Sequence, residues 1–289
     1  MISSDRLHTF AVFAEDNNLS RAAKRLHLSQ PAVHAQLKGL ADELGVPLYQ
    51  RVGRGLVLTK EGIEVAAFAR EIEERANELV ARLRGEAGEQ PLVLAAGAGA
   101  LVHLLAGGLR AFSRARATAR VEVVTADASH AVDLVRRGLA HVGVGVLDTG
   151  PAELDDRILA RASQIVVVPR DHRLAGRRSV RLTDLDGEDL VAPPEGGPQR
   201  AALDAAFAAN GVRARPVAVA RGWDVVLRLV ELGVGIGIVN DTCAIPRTLV
   251  ARPLRELPSV TYRAFTRPRP RKAAVDLVAA FIAASSRPR

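Results

Sequence analysis

One short segment, residues 19–40, constrains this sequence more than any other. Apolar residues recur in it at three- and four-residue spacing on both sides of a polar break, which predicts two helices joined by a tight turn. Ser20 and Ser29 are expected to cap these helices, because a serine hydroxyl can accept a backbone N–H group that a helix start leaves free. Pro31 falls in the first turn of the second helix, where no amide hydrogen is missed.

The second of these helices has an apolar side and a polar side. The apolar side comprises Val33, Leu37, Leu40 and Leu44, and the polar side comprises Gln30, His34 and Lys38 at i, i+4 spacing. A helix that buries one side and offers amide, imidazole and ammonium groups on the other suits the DNA major groove, where base edges present donors and acceptors. From the pattern alone, a small helical bundle with a basic surface is an equal alternative.

This region contains side chains suited to contact DNA bases, phosphates and the minor groove. Gln30, His34 and Gln36 are the expected base readers. Basic side chains and the serine-capped helix starts are expected to hold phosphates, and Arg51 and Arg54 to enter the minor groove. The candidate DNA contacts are Ser20, Arg21, Lys24, Ser29, Gln30, Pro31, His34, Gln36, Lys38, Arg51 and Arg54.

The flanking residues extend the segment into a winged unit. Helical spacing over residues 7–44, broken by two short polar turns, predicts three short helices. Gly45 and Pro47 end this pattern, and residues 51–59 alternate around glycines, as a small hairpin or wing does.

Residues 59–84 predict one long amphipathic helix. Apolar residues step along it by three or four, close to the 3.5-residue repeat that favours helix pairing. The stripe implies a partner helix, and the alternative is packing against the chain's own next domain. Gly85, Gly88 and Pro91 end the helix and mark a linker. The stripe comprises Val65, Phe68, Ile72, Ala76, Leu79 and Leu83.

From Leu92 onward, short apolar or β-branched runs alternate with helical stretches. This alternation predicts an α/β fold with largely parallel sheets and helices on both faces, in which ligands bind beyond the carboxyl ends of the strands. The expected strands cover residues 92–96, 121–125, 142–146, 165–168, 217–220 and 236–239.

Composition bounds the class of protein. The net charge is +8, but the first 60 residues carry only +3, so bulk basicity alone does not indicate DNA binding. The first residues lack the apolar run of a signal peptide, and no stretch reaches the roughly 18 apolar residues of a membrane span. Cys243 is the only cysteine, which excludes an internal disulfide. We therefore expect a cytoplasmic protein with no membrane partner.

Several groups of N-terminal residues form one ordered pattern: Ala22-Ala23, Leu26, residues 29–33 (SQPAV), residues 44–49 (LGVPLY), Arg51, Gly53-Arg54, Leu58-Thr59 and Glu61-Gly62. This pattern closely resembles the winged helix-turn-helix of LysR-type transcriptional regulators. The helix that follows resembles the family's dimerisation helix, and weaker similarity continues to about residue 283. His34, Ala35 and Ala41 depart from the family's usual residues, so no operator sequence carries over.

The resemblance implies an α/β protein with an N-terminal winged helix-turn-helix, a long linker helix and a two-subdomain effector domain like that of periplasmic binding proteins. The implied ranges are 1–60 for the DNA-binding domain, 61–90 for the linker or dimerisation helix and hinge, 91–289 for the effector domain, about 91–161 and 267–289 for subdomain I, and about 162–266 for subdomain II, with chain crossings at 161–163 and 264–267.

By the same resemblance, an effector would contact loops and helix starts at strand ends. Backbone N–H groups there and the nearby Arg200 would favour an anion, whereas the many Ala, Gly and Pro residues favour a more apolar cleft. The alternative is that these residues are only turns and caps, and that Trp223 is core or cleft wall. The candidate effector contacts are Ala98, Gly99, Ala100, Ala126, Asp127, Ala128, Gly197, Pro198, Gln199, Arg200, Trp223 and Asp224.

The implied function is transcriptional regulation in which a small-molecule effector modulates operator binding. The implied partners are double-stranded DNA, that effector, further copies in a homodimer or homotetramer, and RNA polymerase. Because no phosphate-loop, zinc-protease or nucleophile-elbow motif occurs, we expect no catalytic residue, metal or cofactor. The alternative is a cytoplasmic solute-binding protein, or an enzyme with a helical N-terminal domain that does not bind DNA.

Overall fold

Three helices and a hairpin form the N-terminal unit of the computed structural model, which describes residues 2–53, 55–84 and 91–285. The helices are α1 (Ser4–Asp16), α2 (Leu19–Leu26) and α3 (Gln30–Leu44). Strands β1 (Tyr49–Val52) and β2 (Gly55–Leu58) pair antiparallel after them. The three predicted helices and the predicted wing are therefore confirmed.

Polar side chains set the helix starts, with one correction to the expectation. Ser29 caps α3 as predicted, because its Oγ accepts the backbone N–H of Ala32 at 3.2 Å. Ser20 does not cap α2. Asn18, two residues earlier, accepts the N–H of Arg21 at 3.0 Å and takes that role, since an Asn side chain caps as well as a Ser.

Helix α4 (Lys60–Leu83) packs on this unit through small residues. Ala66, Ala67 and Ala69 are buried, and Val65 at the start of the predicted apolar stripe packs against the same core, whereas the rest of the stripe points outward, with Phe68 48% and Leu83 76% exposed. The alternative, packing against the chain's own domains, is therefore observed, and pairing with a second helix stays a prediction. The alanine side packs against the helix's own chain, and an apolar side is left for a partner. The linker predicted after the helix, at residues 85–90, lies outside the described residues.

Gly62 permits the close approach of α4 to the winged unit. A Cβ atom at this position would lie 1.8 Å from the carbonyl oxygen of Leu48, which is backbone and belongs to a fully buried residue. Only glycine fits there without moving one of the two segments.

We expect Gly62→Ala to lower the free energy of unfolding by at least about 2 kcal/mol, because the methyl group overpacks a site that cannot relax. Urea denaturation followed by circular dichroism measures this. Gly176→Ala is the matched control, since a Cβ there meets no atom within 4 Å. Equal midpoints for the two variants would contradict the close approach.

Two five-stranded sheets make up the rest of the described chain. The first has the order β4-β3-β5-β12-β6, formed by β3 (Leu92–Ala96), β4 (Val121–Thr125), β5 (Val142–Val146), β6 (Asp155–Ala162) and β12 (Val260–Thr266). The second has the order β11-β7-β10-β8-β9, formed by β7 (Gln164–Pro169), β8 (Asp189–Ala192), β9 (Arg215–Val219), β10 (Ile236–Asn240) and β11 (Leu249–Pro253).

Both sheets are mixed, whereas largely parallel sheets were expected. In the first sheet β3 pairs parallel with β4 and β5, but β12 runs antiparallel to β5 and β6. In the second, β8 pairs parallel with β9 and β10, but β7 runs antiparallel to β10 and β11. All six predicted strands exist, and four more, β6, β8, β11 and β12, were not anticipated.

Helices cover the sheets, and each sheet has its own apolar core. A π-helical turn (Ala100–Leu105) runs directly into the first of these helices. They are α5 (Ala106–Ala115), α6 (Ala128–Arg136), α7 (Pro198–Ala209), α8 (Trp223–Glu231) and α9 (Lys272–Ser285). Among the residues that the structure describes, no helix is both long and apolar enough to cross a membrane.

The chain crosses twice between the sheets, which define subdomains I and II. The first crossing is at Ser163, but the second lies at residues 255–259 rather than 264–267. The expected extension of subdomain II to residue 266 is wrong, because β12 fills the place between β5 and β6 in the first sheet. The two crossings lie side by side, with the hydroxyl oxygens of Ser163 and Ser259 3.4 Å apart.

Candidate DNA interface and effector cleft

The exposed side of α3 carries the polar residues that the sequence placed there. Gln30, His34 and Lys38 are exposed, while Val33 and Leu37 on the opposite side are fully buried. The helix is held by its apolar side and offers amide, imidazole and ammonium groups to solvent, as groove binding requires. The contact with DNA itself stays a prediction.

Ser20 links the two helices of this motif. Its Oγ donates to Oε1 of Gln30 at 3.1 Å, so the start of α2 is tied to the start of α3. The hydroxyl expected at a helix cap therefore helps to place the first candidate base reader. Pro31, the next residue of α3, is exposed beside it.

Gln36 does not share this exposed side, contrary to expectation. It is half-buried, and its Oε1 accepts a hydrogen bond from the Thr9 hydroxyl of α1. Two residues along an α-helix turn the side chain by about 200°, which places Gln36 nearly opposite His34. Its amide joins α3 to α1 instead of facing a groove.

Basic side chains flank the exposed side of α3. Arg21 and Lys24 on α2 are exposed, and Arg21 lies 3.6 Å from the Asp16 carboxylate. On the wing, exposed Arg51 donates from Nε to the carbonyl oxygen of Gly53 at 3.4 Å. Arg54 lies outside the described residues. These positive groups suit contacts with DNA phosphates, and such contacts depend little on base sequence.

The candidate effector contacts all lie at the ends of strands or the starts of helices. Residues 98–100 follow β3 and lead into the π-helical turn, and residues 126–128 follow β4 and begin α6. On subdomain II, residues 197–200 begin α7, and residues 223–224 begin α8.

Trp223 closes the space between the subdomains at one of these points. The half-buried indole lies so near Gly99 that a Cβ atom there would be 2.7 Å from Cε3 of the indole. The interpretation of Trp223 as a cleft wall therefore fits this geometry. Gly99 is placed where only the absence of a side chain admits the ring.

His103 is a cleft residue that the sequence reasoning did not select. Its side chain is 4% exposed, and its Nε2 lies 3.3 Å from Oδ1 of Asp224 across the subdomain boundary. Its Nδ1 accepts the N–H of Ala244 at 3.3 Å, so Nε2 is the ring nitrogen that faces the Asp224 carboxylate. The available signal was a single imidazole within a run of apolar residues.

Arg200 does not offer its charge to the cleft. Its Nε donates to both carboxylate oxygens of Asp204, at 2.8 and 2.9 Å, and its Nη1 donates to the carbonyl oxygen of Pro193. The guanidinium is compensated within subdomain II. The expectation that Arg200 favours an anionic effector loses its support.

Asp127 occupies the helix start at which an anion was expected. Its Oδ1 accepts the N–H of His130 at 3.0 Å and the hydroxyl of Ser129 at 2.8 Å. These hydrogen bonds, first that from the His130 backbone and then that from Ser129, hold the pKa of Asp127 below its ordinary value. The carboxylate acts as the cap of α6, so the N–H group that it accepts is not free for a ligand.

We expect Gly99→Ala to push the indole of Trp223 out of its place and shift its fluorescence to longer wavelength, because a displaced indole meets more water. Trp223 is the only tryptophan, so the emission reports this site alone. Gly97→Ala is the control, since its Cβ would meet only the Ala126 carbonyl oxygen, at 3.8 Å. An unshifted Gly99→Ala spectrum would show that the ring is not confined there.

Asp127 should make a small part of the stability depend on acid pH. Because its folded pKa is lowered, the stabilisation is present above the unfolded pKa and is lost as pH falls through the folded pKa. Asp127→Asn keeps a capping oxygen without a titrating group and should lack this loss. Asp127→Ala should cost about 1 kcal/mol near neutral pH. Urea unfolding at several pH values tests both statements, and parallel pH curves for the wild type and Asp127→Asn would refute the first.

Two family profiles match the chain. Residues 4–63 match the profile described as a bacterial regulatory helix-turn-helix protein of the lysR family, and residues 85–287 match the LysR substrate binding domain. The first covers the winged unit, and the second covers both sheets.

Similar proteins are named transcriptional regulators. The chain is 32% identical over 248 residues to the RuBisCO operon transcriptional regulator of Allochromatium vinosum, covering 83% of this chain and 80% of that protein. It is 30% identical over 236 residues to the Hca operon transcriptional activator HcaR of Escherichia coli, covering 81% and 80%. In fold it is similar to a full-length OxyR variant from Pseudomonas aeruginosa, with a TM-score of 0.68, 22% identity and 98% of each chain covered.

Proposed function

Since this chain belongs to the LysR family of transcriptional regulators, we propose that α3 lies in the major groove of its operator, where Gln30 and His34 read bases and Lys38 holds a phosphate. The observation that carries this proposal is the exposure of these three side chains on a helix whose opposite side is fully buried. Arg21 and Lys24 flank them and would hold the phosphates that fix the register, and Arg51 on the wing would enter the minor groove. Gln36 is left out, because it faces α1.

The operator has two half-sites in this proposal, because α4 would pair with the same helix of a second copy. The exposed stripe that begins at Phe68 and ends at Leu83 has the spacing of a helix-pairing seam. A two-fold dimer presents two α3 helices and therefore matches a palindromic site. Further pairing into a homotetramer, and contact with RNA polymerase, belong to the same proposal.

The effector is a small and largely uncharged molecule in this proposal. Arg200 is paired with Asp204, and the Asp127 carboxylate caps α6, so neither supplies a free charge to the cleft. The remaining candidate contacts are mainly backbone, Ala, Gly and the Trp223 ring, which suit an apolar or aromatic ligand. Gln199 and the neighbouring residues at the start of α7 would supply hydrogen bonds. No catalytic residue and no resident cofactor is part of the proposal.

The proposed place of action is the cytoplasm, because the DNA to be read is there. Within the described ranges, no group of three or more His, Cys, Asp or Glu side chains could hold a metal ion.

The alternative of an enzyme or solute-binding protein with an inert N-terminal domain predicts no sequence-specific DNA binding, so one measurement of DNA binding separates the two classes of protein.

Fluorescence anisotropy with the DNA upstream of the protein's own gene, and with a scrambled duplex of equal length, tests the proposal. Gln30→Ala and His34→Ala should each weaken binding to the specific duplex about tenfold and leave binding to the scrambled duplex nearly unchanged. Lys38→Ala should weaken both and lower the slope of log affinity against log salt by about one.

Lys272→Ala is the matched control for the lysine, because Lys272 is exposed on α9 in the effector domain. Wild-type protein that binds both duplexes equally would refute operator reading. Full retention of specificity in Gln30→Ala and His34→Ala would refute the assignment of these residues.

A further inference from the structure

Subdomain I is docked on the DNA-binding side of its own chain by arginines. Arg267 donates from Nη1 to the carbonyl oxygen of Ala67 on α4 at 3.1 Å, and Arg271 lies 3.4 Å from the Glu74 carboxylate of the same helix. Gly138, with φ +69°, lies so close that a Cβ atom there would be 3.2 Å from Cα of Ala67. The backbones of α4 and subdomain I are therefore in direct contact at this point.

Arg137, which follows α6, reaches beyond α4 to α1. Its Nη2 donates to the carbonyl oxygens of Ala14 and Glu15 at 2.5 and 2.6 Å, and its side chain is largely buried. These oxygens belong to the last turn of α1, where helix carbonyls lack partners in the helix and carry partial negative charge. The positive guanidinium of Arg137 therefore lies at the negative C-terminal end of α1, where a cation is stabilised.

Arg70 reinforces the same junction from α4. Its Nη2 donates to the carbonyl oxygen of Ala11 on α1 at 3.0 Å, and its Nη1 donates to the carbonyl oxygen of Arg137. The guanidinium of Arg70 thus ties α1 to the residue that ends α6. Three helices, α1, α4 and α6, meet at these two arginines.

The opposite end of α6 lies at the candidate effector loop. Asp127 caps this helix and Ala128 begins it, directly after β4. The helix has nine residues, which makes it about 13 Å long. One short rigid element therefore separates the effector loop from the α1 carbonyls.

We propose that α6 transmits the state of the effector cleft to the DNA-binding helices through Arg137. A movement of the Asp127 end displaces Arg137, which carries α1 with it. Helix α1 holds α3 through the Thr9–Gln36 hydrogen bond and their shared core, so α3 turns relative to subdomain I. The inference rests on the proposed function for its biological meaning, whereas the α6–α1 coupling can be measured without DNA.

Hydrogen exchange in the full-length protein tests the coupling directly. Arg137→Gln should speed exchange of amides 14–17 in the last turn of α1 about tenfold, because a charge-assisted contact is lost. Arg137→Lys keeps the charge and should restore part of the protection. Arg136→Gln is the matched control, since Arg136 donates to the carbonyl oxygen of Ala152 within subdomain I.

The decisive measurement is a double-mutant cycle. Asp127→Ala should speed exchange in the same α1 turn at least about twofold, and should add nothing in the Arg137→Gln background. Additive effects, or an Asp127→Ala effect confined to α6, would overturn the proposal. The same cycle on affinity for the upstream duplex should be non-additive as well. If the wild type binds no duplex specifically, operator reading fails, and the exchange cycle still decides the α6–α1 coupling.

Discussion

The close packing of α4 on both halves of the chain is the constraint on which the other features depend. Its buried side consists mainly of alanines, and a glycine at each contact, Gly62 in its own first turn and Gly138 of subdomain I, allows backbone to approach backbone. Small residues at such a junction bring the two backbones close together, because no long side chain separates them. Shape therefore sets the orientation that the winged unit takes on subdomain I in this structure, and the proposed movement of α6 starts from it.

The buried, charged Arg70 makes this packing depend on specific hydrogen bonds. Arg70 is 8% exposed, and burial lowers its pKa to about 10, so it is still charged at neutral pH. A buried cation without acceptors costs several kcal/mol, and Arg70 has two carbonyl acceptors. Hydrogen bonds to charged groups contribute about 1.5–3 kcal/mol each. Removing one acceptor would then cost more than the bond itself contributes, which makes the junction sensitive to small displacements.

The proposed effector cleft differs from this junction, because Arg200 and Asp127 already have partners within their own subdomains. Arg200 pairs within α7, Asp127 caps α6, and Asp224 meets His103 across the boundary. In the proposed cleft, a ligand would have to pack against the Trp223 ring and displace or accept the contact between His103 and Asp224. Selectivity in such a site comes from shape and from a few polar contacts more than from net charge.

The sequence by itself determined the elements whose signals are local. Helix caps, periodicity and glycine punctuation identified α1 to α4, the wing, and the six strands with short apolar or β-branched runs. The helical periodicity of α3 placed Gln30, His34 and Lys38 outward. The same periodicity also predicts that Gln36 faces away from His34, since the angle between two residues of a helix depends only on their spacing. The exposed polar side of α3 was thus available from sequence.

Only the tertiary structure decided the pairings between distant segments. Strands β6 and β11 lie at sheet edges and mix Asp or Arg with apolar residues, and β12 pairs with β5 and β6 from much earlier in the chain, so the place of each in a sheet is set by its neighbours. The second crossing lies before β12 and not after it, because β12 pairs within the first sheet. The carbonyl acceptors of Arg70 and Arg137, and the meeting of His103 with Asp224, join residues that no local pattern relates. Their energies come from burial and hydrogen-bond geometry, which exist only after the chain has folded.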